Sequence, residues 1–156
     1  ELGAEVDAWR SLLIATGCAP GFDAKYSETT QENVVDFLVR DLDNPSGIIS
    51  CFAAARHNAR TVRTALTVDM WGALNDSWNA LRQAEFQGER LPGFLEWVRE
   101  RVILFNGAAQ DTMLRGEPWL FVQLGTALKR ADNTARLLDV KHNLLSPAQQ
   151  ATVEYG

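Results

Sequence analysis

The residues best able to do chemistry in this sequence are arginines and aspartates set at helical spacing. Arg56, Arg60 and Arg63 each follow an apolar position by one residue: Ala55, Ala59 and Val62. One residue is about 100° of rotation on a helix, so the three guanidinium groups form a stripe beside the apolar line, not opposite it. Asp132, Arg136 and Asp139 follow Ala131, Ala135 and Leu138 in the same way. The two segments also align, Ala55-Arg56-His57-Asn58-Ala59-Arg60 upon Ala131-Asp132-Asn133-Thr134-Ala135-Arg136, a short internal match that sets Arg56 against Asp132 and Arg63 against Asp139. A half-buried arginine needs a partner, because an uncompensated buried charge is costly. The expectation is that the two helices pack together, with Arg56, Arg60 and Arg63 facing Asp132 and Asp139. Such a network most simply fixes helix register. With Asn75, Arg130 and Arg136 it could instead bind an acidic small molecule or peptide terminus, since arginine forks match carboxylate and phosphate.

Other chemistries lack complete sets of residues. A di-iron bundle needs two Glu-x-x-His motifs and two further glutamates. The chain has two histidines, His57 and His142, and no such motif; Asp139-Val140-Lys141-His142 has the spacing once. His142 reads as a packed or dipole-stabilised histidine near a helix end, and no metal or cofactor is expected. Neither Cys18 nor Cys51 has a neighbouring base, Ser50 and Ser77 have no nucleophile-elbow context, and no glycine-rich phosphate loop occurs. Asp111 and Thr112 precede a turn at Arg115–Pro118 and are secondary candidates, although such a pair more simply closes a helix. Whether the protein is an enzyme is left open by these residues.

The elements that must carry these groups are helices. Leu2, Val6, Trp9 and Leu13 share one face, and Gly17 follows where a helix would end. Thr29 with Glu32 fits a capping box for a second helix containing Val35, Leu38 and Leu42. Asn44-Pro45 reads as N-cap and first residue of a third, whose apolar line runs Ile48, Phe52, Ala55, Ala59, Val62, Leu66. A fourth carries Trp71, Leu74, Trp78 and Leu81 and ends before Gly88. Pro92 opens a fifth with Leu95, Val98, Val102, Phe105 and Ala109, and Asn106-Gly107 inside it is a weak or closely packed spot. Pro118 opens a sixth with Phe121, Leu124, Leu128, Ala131, Ala135 and Leu138. No stretch alternates with period two. The fold class is therefore all-α: a bundle of about six helices, largely antiparallel.

At 156 residues, 46% hydrophobic and 22% charged, the chain fits one domain spanning 1–156 with a real core. A net charge of −5 gives no electrostatic case for nucleic acid or an anionic membrane. The longest apolar run, Ile48–Ala55, is far short of the roughly 20 residues of a membrane span. Two cysteines without a CxxC point to a reducing cytoplasm, with Cys51 expected in the core. Of five tryptophans, Trp9, Trp71 and Trp78 fall on the apolar lines, whereas Trp97 and Trp119 fall off them and could line a groove or meet another part of the protein.

The run Phe121–Gly125 through Arg130-Ala131-Asp132-Asn133-Thr134-Ala135-Arg136-Leu137-Leu138-Asp139-Val140-Lys141 resembles the signature helix of the bacterial alpha-E domain family. Ala55–Arg63, Trp71 with Leu74-Asn75, Phe105-Asn106-Gly107, Asp111-Thr112-Met113 and Trp119 continue the resemblance in order, from about residue 43 to 145. In that family the signature helix usually reads Gly-Arg and then Glu-Arg-Ala-Asp; here Gly125-Thr126 and Lys129-Arg130-Ala131-Asp132 stand instead, reversing a charge at Lys129. The resemblance implies a helical protein about twice this length, of which this chain is a piece. It also implies a setting beside circularly permuted ATP-grasp and transglutaminase-like proteins. The function expected from it is an accessory or scaffold module of a peptide-forming or peptide-modifying system, with those proteins as partners. Homo-oligomerisation is a further expectation, since a piece without flanking helices would expose apolar surface.

Overall fold

The computed structural model describes residues 2–83 and 91–145, with side chains from residue 8 to residue 140 within those limits. Among the described residues the chain is helical, without strands, as its periodicity predicts. The helices are α1 (Leu2–Ala15), α2 (Ala19–Asp23), α3 (Gln31–Val39), α4 (Ile48–Thr61), α5 (Val68–Gln83), α6 (Leu91–Thr112) and α7 (Glu117–Leu145), with a 3-10 turn at Arg63–Ala65. The expected count of about six missed the short α2, whose first turn holds Pro20, a residue tolerated there because the first-turn N–H groups have no helical acceptor. The predicted helix end near Gly88 lies outside the described residues.

The chain forms two compact units. One comprises residues up to Phe37 together with those from Leu124 onward; the other is Leu38–Gln123.

In the first unit, α1 ends where the sequence places its stop. Gly17 has φ 71°, its N–H donates to Ile14 O at 2.9 Å, and the Cys18 N–H donates to Leu13 O at 2.8 Å. That pair of bonds is a Schellman closure, and Cys18 and Leu13 are both buried, giving it its apolar contact. Arg10 on α1 makes a two-pronged ion pair with Asp23 of α2. The capping residue of α3 is Thr30, not Thr29: its Oγ1 accepts the Asn33 N–H at 3.2 Å. Leu13, Phe22 and Val34 are fully buried, and the rings of Phe22, Tyr26 and Phe37 meet at 5.0–6.0 Å. Tyr26 keeps its hydroxyl satisfied by donating to Asp36 Oδ2 at 2.8 Å.

In the second unit, α5 packs mainly against α6, and α4 lies on α5. Asn44 does not cap α4. Its Oδ1 accepts the Ser46 N–H at 3.0 Å in a turn of its own, so Gly47 takes the cap position and α4 begins at Ile48. The expected single helix to Leu66 breaks at Thr61, where the 3-10 turn carries the chain around to α5. The buried line of α5 is Met70, Leu74, Ser77 and Leu81, one residue away from the predicted Trp71 and Trp78 positions. Ser77 is tolerated there because its hydroxyl donates to Ala73 O at 2.6 Å. Met70, Ala109 and Met113 form one core cluster, joined by Leu66, Phe105 and Trp119.

Several predicted apolar positions are not covered. Ala55 and Val62 are exposed, as are Leu95 and Val102 on α6. On α7, Phe121, Leu124, Leu128, Ala131, Ala135 and Leu138 are all exposed. Cys51, expected in the core, is exposed too, while Cys18 is buried; both are free thiols. No helix among the described residues is long and apolar enough to cross a membrane.

Candidate functional site

The candidate arginines separate along the break after α4. Arg56 is on the helix, half-buried, and its Nε donates to Asn75 Oδ1 on α5 at 3.3 Å. Its guanidinium also lies 5.9 Å from the centroid of the Trp78 ring. Arg60 is exposed. Arg63 belongs to the 3-10 turn, where its Nη1 donates to Leu66 O at 3.4 Å and its guanidinium sits 5.1 Å from the Trp71 centroid. The predicted three-arginine stripe on a single helix is therefore a pair plus a turn residue. The structure brings Arg56 and Asn75 together, but tryptophan faces, not carboxylates, are the larger partners of Arg56 and Arg63.

On α7 the charges pair along their own helix. Lys129 Nζ donates to Asp132 Oδ2 at 3.0 Å, and Arg136 Nε donates to Asp132 Oδ1 at 3.0 Å. These two hydrogen bonds, Lys129 first, hold the Asp132 carboxyl below the usual carboxylate range. Arg130 and Asp139 are exposed. The expected meeting of the α4 arginines with Asp132 and Asp139 would join residues of separate units and stays an expectation. His57 is exposed, and the side chain of His142 lies outside the described residues.

The secondary candidates close a helix. Thr112 is the last residue of α6, and its hydroxyl both donates to Ala108 O at 2.7 Å and lies 2.7 Å from Thr67 Oγ1. Asp111 beside it is exposed. Asn106-Gly107 is regular helix, and a Cβ on Gly107 would meet nothing within 4 Å, so close packing does not explain that glycine.

Two features of the second unit were missed from the sequence. The first is a set of four arginine–tryptophan contacts: beside those of Arg56 and Arg63, Arg101 lies 5.9 Å from the Trp97 centroid and Arg115 lies 4.5 Å from that of Trp119. Folded proteins hold about one such contact per 70–80 residues, so this unit is rich in them. Trp97 and Trp119, expected to line a groove or meet another part of the protein, are half-buried against arginines, and Trp119 also joins the core. The second feature is an open cleft of about 360 Å³ between α4, α5 and α6. Phe52, Ala55 and Ala59 form one wall, Leu74 the floor, and Arg101 and Phe105 the other wall. The i, i+4 spacing of Trp97 and Arg101 was the available signal.

The Alpha-E family, described as a predicted alpha-helical domain with a conserved ER motif, matches over residues 2–155. This chain belongs to it. No curated protein and no solved structure matches the chain. Within the Alpha-E frame, the position where the resemblance places the signature glutamate holds Lys129, and the lysine is used: its ammonium bonds Asp132 across one helical turn. A glutamate there would face Asp132 with like charge and could not make that bond. Among the described residues, no three of His, Cys, Asp and Glu are grouped so that they could hold a metal ion.

Proposed function

We propose that this Alpha-E chain is a helical accessory or scaffold module of a peptide-forming or peptide-modifying system. On this reading it works through contacts with proteins of the circularly permuted ATP-grasp or transglutaminase-like kinds. The observation that carries this reading is the exposed apolar line of α7. Leu124 is 53%, Leu128 62% and Leu138 65% exposed, at the 3-4 spacing of a helix-packing seam. Apolar side chains in such a line gain free energy when a second protein covers them, whereas isolated exposed leucines need no explanation. The paired charges of Lys129, Asp132 and Arg136 flank the line, where they would set partner choice and orientation. The free thiols of Cys18 and Cys51 suit a reducing compartment, and the cytoplasm is part of the proposal.

The test is direct binding between the purified protein and each of those two kinds of partner, read by interferometry. Binding to at least one is expected, with a loss of about tenfold or more when Leu128→Glu and Leu138→Glu are combined, because both charges would be buried in the interface. Absence of binding to both partners sinks the proposal.

A further inference from the structure

We propose that the cleft between α4, α5 and α6 binds a small amphipathic carboxylate: its apolar body fills the cleft and its carboxylate pairs with Arg101. At about 360 Å³ the cleft lies within the range of small-ligand pockets. Its walls are almost wholly carbon, with Phe52 and Phe105 among the residues that form them. Arg101 is the single charged residue among those that line it, and no acidic side chain does so. The cleft is therefore complementary to an apolar molecule bearing one negative charge.

The state of Arg101 favours a ligand over a purely structural role. Its Nε–H is buried and has no acceptor among the described residues. Its nearest carboxylate contact, Glu100 Oε2, is 3.9 Å from Nη2, a loose approach on an exposed side chain. The Trp97 ring positions the guanidinium through its face without satisfying a single N–H. The guanidinium thus retains unused donors at the edge of an apolar cleft, where a carboxylate fits its fork better than any neutral group. A phosphate dianion would call for a second cation, and none lines the cleft. This inference concerns the second unit alone and stands independently of the α7 interface.

Cys51 supplies the readout. It lines the cleft and is exposed, whereas Cys18, the other thiol, is buried. Octanoate and octan-1-ol are the probes, because they share a chain and differ in the charged head. Octanoate is expected to slow labelling of Cys51 by a thiol reagent in a saturable manner, with an affinity about tenfold or more above that of octan-1-ol. Arg101→Gln should remove that preference while leaving the octan-1-ol response in place, which also shows that the variant is folded. Ala55→Trp, at an exposed position on the cleft wall, should abolish protection by both probes without loss of helicity. Equal protection by octanoate and octan-1-ol in the unsubstituted protein overturns the proposal, as does no protection by either. Protection that rises with protein concentration alone overturns it in favour of a second copy of the chain as the occupant.

Discussion

Asp132 is where the chemistry of single residues is most open to measurement. Its carboxylate accepts from Lys129 and from Arg136, one turn away on either side, so the charged form is favoured and the pKa falls below its usual value. A depressed carboxylate adds stability that is fully present above the unfolded value of about 3.9 and is lost as the pH falls through the lower, folded value. The helix around Asp132 should therefore be insensitive to pH at 5 and above and loosen only below about pH 4. Carboxyl carbon shifts from an NMR titration should give Asp132 a midpoint below the ordinary aspartate value. Lys129→Ala should move it back toward that value, because the lysine bond is the largest cause. An Asp132 midpoint at the ordinary value in the unsubstituted protein would contradict the described hydrogen bonds. The pair also shows what a sequence conveys at this scale. Spacing marks Asp132 and Arg136 as near neighbours of an apolar line, and the expectation drawn from it pairs Asp132 with arginines of another helix. Local i, i+3 and i, i+4 partners cost less chain ordering than distant ones, and here they are present.

At the scale of elements, the end of α1 was more legible than any helix face. Ends depend on a few residues with special backbone needs, and Gly17 is the clearest case, since φ 71° is a conformation that side chains with a Cβ resist. Gly17→Ala should destabilise the first unit by about 1–2 kcal/mol, and Gly17→Asn by less, because asparagine tolerates the left-handed region. The Cβ would also meet the guanidinium of Arg136, a flexible group that can move aside, so the backbone effect should dominate. Urea midpoints for the two variants check both the size and the order; an alanine variant as stable as the parent would count against the Schellman closure. Faces depend on three-dimensional neighbours, and there the periodic reading slipped. In α5 the tryptophans Trp71 and Trp78 weigh heavily in any hydrophobic pattern, yet their size suits the margin, where arginine covers them, and Met70 and Ser77 take the interior. In α4 the apolar spacing continues through Val62 to Leu66 although the helix stops at Thr61, and beyond that end Val62 is exposed while Leu66 joins the core. The cleft was not legible, and of Arg101 only its i, i+4 spacing from Trp97 was. A concavity is made by what three helices leave unfilled, and no single helix records it.

For the whole molecule, the division into two units predicts uneven stability. Leu13, Phe22 and Val34 are buried in one unit, and Met70, Ala109 and Met113 in the other. Met70 is 0% exposed at the centre of its cluster, against Leu66, Phe105 and Trp119. Met70→Ala removes a flexible, polarizable side chain from that cluster, and a cost of about 2–5 kcal/mol is expected from the lost transfer energy and the cavity left behind. Where cores are separate, regions open with free energies of their own, so the loss need not spread evenly along the chain. Hydrogen exchange should show protection falling in α5 and α6 while the amides of α1 to α3 keep most of theirs. A uniform fall in protection across both units would mean that the chain unfolds as one cooperative body. In that case the apolar line of α7 and the cleft beside Arg101 would stand or fall together under any destabilising change. Uneven protection instead allows the cleft to be occupied or emptied while the first unit keeps its fold, the arrangement expected of a protein that binds a ligand on one part and a partner on another.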